Sequence, residues 1–163
     1  ITMMIPGSVT LIPNYLILRS FHLLNSYLGL VLPSFFNIFG IFMLRQSMRQ
    51  IPDDFIDAAV IDGASQWKIF FNVIIPLSRP MIATLFVITF MGAWNDYLWP
   101  LIVLTDKNKM TLPVALSMLN GQYSTEYNLL MAGALISIVP IIIVYAFAQR
   151  YFEEGLTAGG LKG

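Results

Sequence analysis

Apolar residues in this chain gather in blocks instead of recurring at amphipathic spacing, and polar stretches separate the blocks. Residues 27–44 (YLGLVLPSFFNIFGIFML) and residues 129–149 carry no charge, and residues 81–104 are interrupted only by Asn95 and Asp96. A helix needs about 20 mostly apolar residues to cross a bilayer, because the hydrocarbon is about 30 Å thick and each backbone amide must be satisfied within the segment. Three spans are therefore expected. Residues 1–18 are apolar but broken by Pro6, Gly7 and Pro13, with no basic n-region or cleavage site, so they read as the tail of an earlier span and not as a signal peptide. The expected fold class is all-α, a polytopic transmembrane helix bundle. Pro33, Pro100 and Pro140 lie inside spans, where neighbouring helices can re-satisfy the carbonyls they free; kinked spans suit a protein that moves, and equally a bilayer simply tolerates proline.

The spans are linked by residues 19–26, 45–80 and 105–128, with a tail from Arg150. Adjacent links must lie on opposite sides of a membrane. Arg45, Arg49, Lys68, Arg79, Arg150 and Lys162 fall on one side and Arg19, Lys107 and Lys109 on the other, so the Lys/Arg bias predicts that residues 45–80 and the C-terminus are cytoplasmic. Within residues 51–80, Pro52 blocks the preceding helix, and Asp53 and Asp54 supply anionic groups where a helix begins. Gly63 falls where that helix should end. Ser65 can cap a second one, in which Trp67, Phe70, Phe71 and Ile74 follow at i, i+3, i+4, i+7, with Pro76 and Pro80 closing it. Ala58, Ala59 and Gly63 leave one turn nearly bare. Such a surface admits either a partner's backbone or the helices of its own chain.

Composition agrees with a bilayer and removes several kinds of chemistry. Hydrophobic residues make up 57% and charged ones only 11%, against about 25% charge in a soluble domain. Nine Lys+Arg against nine Asp+Glu leave no basic surface for nucleic acid, and zero Cys with one His (His22) leave no donor set for a zinc finger, an iron–sulfur cluster or a histidine-rich metal site, and no metal is expected. No GxxxxGK[ST] phosphate loop, HExxH or GxSxG occurs and no paired carboxylates lie inside the spans, so neither ATP binding, an intramembrane enzyme nor any cofactor is expected. A channel or scaffold without ATP coupling remains the alternative to a transport subunit.

The motif Asp57-Ala58-Ala59, three residues, Gly63, nine residues, Val73-x-Ile75-Pro76 resembles the EAA loop of binding-protein-dependent ABC importers, Glu-Ala-Ala, three residues, Gly, nine residues, Ile-x-Leu-Pro. The spacing matches throughout. Asp57, Val73 and Ile75 depart conservatively. Residues 3–6 with 11–15, Leu44-Arg45-Gln46 with Ile51-Pro52, and Trp94-Asn95-Asp96 with Pro100-Leu101 also resemble the carbohydrate branch of that family, and residues 149–163 (QRYFEEGLTAGGLKG) are similar to the C-terminus of the second permease subunit of maltose-type importers. The resemblance implies the C-terminal part of an ABC importer type I permease, with the N-terminal spans missing, in which residues 1–163 belong to one transmembrane domain and residues 51–80 form the cytoplasmic coupling loop. It implies that Asp57, Ala58, Ala59, Asp62, Gly63, Trp67, Phe70, Phe71 and Pro76 meet an ATP-binding cassette subunit. Its other implied partners are a second permease subunit, an extracytoplasmic solute-binding protein and the lipid bilayer of a bacterial or archaeal cell (inner) membrane. The chain would then translocate a carbohydrate and leave ATP hydrolysis to a partner.

Several residues keep two readings. Trp67, Phe70 and Phe71 suit either packing beneath the chain's own spans or docking. Asn95 and Asp96 lie in an apolar block; about 16 residues from Pro80 at 1.5 Å each put Asp96 near the outer boundary, as an interfacial group or as part of a substrate path or gate. Trp94, Tyr97 and Trp99 suit an aromatic belt there better than a sugar-stacking platform. Arg45 and Arg49 should anchor a helix end at the headgroups, and His22 carries no evident role. Four glycines in residues 155–163 argue against a stable helix in the tail, which reads as solvated or as reaching the ATPase.

Overall fold

The computed structural model describes residues 2–119 and 127–160, and among them every regular element is helical. In chain order these are α1 (Gly7–Ser20), α2 (Tyr27–Val31), α3 (Ile38–Met48), α4 (Asp53–Ile61), α5 (Gln66–Leu77), α6 (Arg79–Trp94), α7 (Leu98–Val103), α8 (Leu112–Leu119) and α9 (Tyr127–Gly160). Residues 2–38, 91–119 and 127–143 form one compact unit, and residues 39–90 and 144–160 a second.

In the first unit Leu18 of α1 packs with Val103 and Leu104 at the end of α7, and Leu23, Leu24, Leu30 and Trp99 close around them. Residues 21–26 turn sharply between α1 and α2, with His22 and Asn25 both in the left-handed region at φ 54° and 56°. Ser26 then starts α2: its hydroxyl accepts from the Gly29 N–H at 3.0 Å and donates to the Leu23 carbonyl at 2.6 Å. That closeness explains Gly29, where a Cβ would collide with the Leu23 carbonyl. Asn25 ties this turn to residues 103–109. Its N–H donates to the Val103 carbonyl at 2.8 Å, its Oδ1 accepts from the N–H groups of Thr105 and Asp106 at 3.2 and 3.0 Å, and its carbonyl accepts from Lys109 Nζ at 2.9 Å. Farther along, buried Gly133 of α9 lets Leu116 of α8 approach where a Cβ would collide.

The three expected spans are only partly continuous helices. Residues 27–48 are long and apolar enough to cross a membrane, but Pro33 starts a 3₁₀ turn over Leu32–Phe35, and α3 begins afresh at Ile38. Residues 81–104 are not one helix: α6 stops at Trp94 and α7 starts at Leu98. Asn95 Nδ2 bonds back to the Met91 carbonyl at 2.8 Å, and Asp96 Oδ1 accepts the Trp99 N–H at 3.4 Å. These short polar side chains thus compete with the helical ladder for its own donors and acceptors, and the ladder breaks there. Tyr127–Gln149 satisfies the length and hydropathy of a span without interruption. Helix α9 then continues through Gly160, contrary to the reading of residues 155–163 as non-helical. The span has already met the cost of nucleation, so each further residue needs only propagation, which a few glycines at about 1 kcal/mol each do not stop. Residues 161–163 lie outside the described residues. Helix α1 has 14 residues and contains Pro13, shorter than a full crossing. The polar link of residues 105–128 holds an unexpected apolar helix, α8, with Val114 fully buried.

Candidate functional site

Residues 53–77, all in the second unit, form two helices joined by a tight, fully bonded corner. Pro52 sits at φ −59°, ψ 137°, which stops the preceding backbone, and Asp53 and Asp54 occupy the first turn of α4. At its other end the Ala64 N–H donates to the Ala59 carbonyl at 3.0 Å and the Gly63 N–H to the Val60 carbonyl at 2.9 Å. This pair of bonds is a Schellman motif with Gly63 at the left-handed position, φ 71°. Two residues later the Ser65 hydroxyl accepts from the Lys68 N–H at 3.4 Å and opens α5. Both the glycine stop and the serine start fall where the sequence puts them.

Helix α5 runs on through Pro76 to Leu77, where the sequence had Pro76 closing it. Pro76 has no N–H, and in a regular α-turn its ring would press on the Asn72 carbonyl. The backbone widens instead into a π turn over Phe70–Ile74, in which the Ile75 N–H reaches the Phe70 carbonyl. At buried Ser78 the chain bends by 70° into α6.

Side chains around this corner are unevenly covered. Ile69 is buried at 6% exposure, whereas Trp67 is 73% exposed and Phe71 57%. Trp67 and Phe71 stack with ring centroids 6.3 Å apart, and Phe70, half-buried, meets Phe71 edge-on at 5.2 Å. Among the described residues, Phe70 is thus partly covered and Trp67 and Phe71 are not. Asp57, Ala58, Asp62 and Gly63 are exposed, Ala59 is half-buried, and a Cβ on Gly63 would meet nothing within 4 Å. Phe55, Val60 and Ile61 of the same helix are also exposed, Ile61 at 85%. Asp53, Asp54, Asp57 and Asp62 have no ion pair among the described residues. This corner therefore carries exposed aromatic and aliphatic groups beside carboxylates that have no ion pair among the described residues.

Asn95 and Asp96 part company in the first unit. Asn95 is exposed and bonded to its own helix, whereas Asp96 is half-buried in the wall of a cavity of about 340 Å³. Ser8, Thr10, Asn14, Ser34, Leu98 and Trp99 also line it. Tyr97 is exposed, Trp94 donates its indole N–H to the Ser137 carbonyl at 3.0 Å, and Trp99 packs on the Leu18 cluster. Sequence reasoning missed Asn25, Asn14 and Ser34. An asparagine in a short turn hints at a left-handed residue, but nothing local marks the other two.

Apolar helices long enough to cross a membrane, joined to a helical corner outside the apolar blocks, have the character of a polytopic membrane protein. The chain belongs to the family of binding-protein-dependent transport system inner membrane components, whose profile matches residues 1–158. It is similar to the arabinooligosaccharides transport system permease protein AraQ of Bacillus subtilis (strain 168), 39% identical over 100% of this chain and 58% of the relative. It is 37% identical to the lactose transport system permease protein LacG of Rhizobium radiobacter, over 96% of this chain and 57% of that one. It is 38% identical to the sn-glycerol-3-phosphate transport system permease protein UgpE of Salmonella typhi, over 96% and 56%. The chain thus spans little more than half the length of these relatives. Among solved structures it resembles a bacterial ABC transporter involved in the import of the acidic polysaccharide alginate, with a TM-score of 0.73, 30% identity, and coverage of 86% of this chain and 55% of that one.

Proposed function

We propose that this chain is part of a permease subunit of an ABC importer for a carbohydrate, and that the corner of residues 53–77 is where an ATP-binding subunit drives it. The observation that carries the reading is the exposed pairing of a small-residue turn (Ala58, Gly63) with an aromatic pair (Trp67, Phe71) on two helices held by a Schellman corner. A partner seated there pushes on a stiff element. Helix α5 leads through the bend at Ser78 into α6, so a displacement of the corner is passed to an apolar helix without intervening slack. The full transporter would add a second permease subunit and an extracytoplasmic solute-binding protein, consistent with the name of the family. Residues 45–80 and the C-terminus face the cytoplasm in this reading, supported by the six-to-three division of Lys and Arg. A channel or scaffold would leave the exposed corner without a purpose.

Gly63→Val in the complete transporter tests this. A β-branched residue is strained at φ 71°, yet nothing in the chain itself stands in its way, so membrane abundance should stay within about twofold while uptake and co-purification of the ATP-binding subunit fall about tenfold or more. Undiminished uptake and association would overturn the coupling role. Reporter fusions after Asp62 and after Lys109 should report cytoplasm and exterior respectively, and the same side for both would overturn the orientation.

A further inference from the structure

A groove between α6 and α9 lies wholly within the second unit, and its lining is apolar except toward one end. Its volume is about 490 Å³, enough for a stretch of hydrocarbon chain. Half-buried Ala83 and buried Ala148 keep its floor low, while the exposed rings of Phe86 and Phe147 stand at its sides. Among the described residues Arg79 is the one charged group in the lining, and it has no ion pair among them. Arg79 is the first residue of α6, and Tyr151 of the same lining lies just past the apolar block of residues 129–149. Both therefore belong to the side of the membrane that holds residues 45–80 and the C-terminus, at the depth where an arginine meets headgroups. From there the groove follows each helix for seven residues, to Phe86 and to Val144, about 10 Å at 1.5 Å per residue. Half of a hydrocarbon layer is about 15 Å deep, so the groove passes through most of one leaflet and no farther.

We propose that this groove holds an anionic glycerophospholipid of the cytoplasmic leaflet, with one acyl chain over Ala83 and Ala148 between the two phenylalanines and the phosphate against Arg79. The proposal rests on the membrane orientation given above, which sets the leaflet. A lipid has the same division as the lining: charge at the boundary and hydrocarbon beneath it. The guanidinium can donate to two phosphate oxygens at once. A free phosphate would leave the apolar walls uncovered. A zwitterionic lipid brings its own ammonium to its phosphate and has no net charge to offer an unbalanced arginine, whereas an anionic one does.

Native mass spectrometry of the complete transporter tests this, with the complex stripped of lipid in detergent and titrated with phosphatidylglycerol or phosphatidylethanolamine of identical acyl chains. The first phosphatidylglycerol should bind about fivefold more tightly than the first phosphatidylethanolamine, the advantage of one basic side chain at an anionic headgroup. Arg79→Gln should bring the two within about twofold of each other, and Arg79→Lys, which keeps the charge, should retain the preference. Arg49→Gln removes an exposed cation from the same side of the membrane but outside the groove, and it should leave the preference unchanged. Ala83→Phe fills the floor and should lower the binding of both lipids about tenfold; the Arg79 variants decide the matter if this overpacked one fails to accumulate. Equal binding of the two lipids by the parent, a preference unchanged in Arg79→Gln, or an equal loss in Arg49→Gln overturns the proposal. Separation of the subunits in Ala83→Phe with lipid binding unchanged would mean that a protein helix covers the groove, and overturns it too. ATP-dependent uptake by the same complex after reconstitution separates the two readings: uptake without a lipid preference overturns the lipid site alone, and an Arg79-dependent preference without uptake overturns the permease reading alone.

Discussion

The turn at Asn25 and the corner at Gly63 are both short connections between helices with a left-handed residue at their centre, yet they handle their polar and apolar groups in opposite ways. At the turn, four hydrogen bonds from one asparagine are closed against residues 103–109, and the neighbouring leucines are covered by the Leu18 cluster. At the corner the backbone is equally well bonded, but Phe55, Ile61, Trp67 and Phe71 stand in the open and four carboxylates lack cations among the described residues. The first is a connection finished within the chain. The second is rigid but uncovered, as an element must be if its contacts come from elsewhere.

The largest expected effect is at the uncovered corner. Trp67→Ala with Phe71→Ala should weaken association with the ATP-binding subunit by about 2 kcal/mol or more, a thirtyfold or greater loss, because exposed aromatic anchors dominate protein interfaces. The melting temperature of the permease itself should hardly move, and a large drop would show that the corner is covered within the chain after all. Asn25→Ala should do the reverse. It strands two backbone N–H groups and puts alanine at φ 56°, together about 3 kcal/mol, seen as reduced thermal stability of the solubilised complex with normal subunit association in what survives.

Smaller changes sharpen the contrast within the finished unit. Gly133→Val drives a side chain into Leu116 and should cost about 2 kcal/mol by thermal denaturation, whereas Gly63→Val should cost only its backbone strain. Lys109→Ala removes a charged donor from the Asn25 carbonyl and should cost about 1 kcal/mol, while Lys107→Ala, exposed, should stay within about 0.5 kcal/mol. Lys107 is therefore the silent control for charge on that loop.

What could be read from the sequence was local. Gly63 and Ser65 announce themselves because a Schellman stop and a serine cap depend on residues within one turn, and the charge-free blocks identify membrane helices by length alone. The break at Asn95 escaped because an apolar count registers two polar residues as a small interruption, while the backbone registers them as competitors for its ladder. The Asn25 latch joins positions about 80 apart in sequence, and no periodicity encodes that pairing. The partners of Trp94 and Trp99, Ser137 and the Leu18 cluster, exist only once the helices pack. Likewise the helical course of residues 155–160 follows from what precedes them and not from their own composition.

The π turn at Phe70–Ile74 also fixes an angle. In an α-helix each residue advances the chain by about 100° around the axis and 1.5 Å along it. A widened turn changes that phase by holding one extra residue in the same pitch, so the heading of Trp67 relative to Ser78 depends on it. Replacing Pro76 with alanine would remove the ring that widens the turn; the same residues wound at about 100° each would then add one residue's rotation and swing the aromatic pair about a quarter of a revolution relative to Ser78, leaving every apolar block intact. The corner would keep all its parts and point them the wrong way.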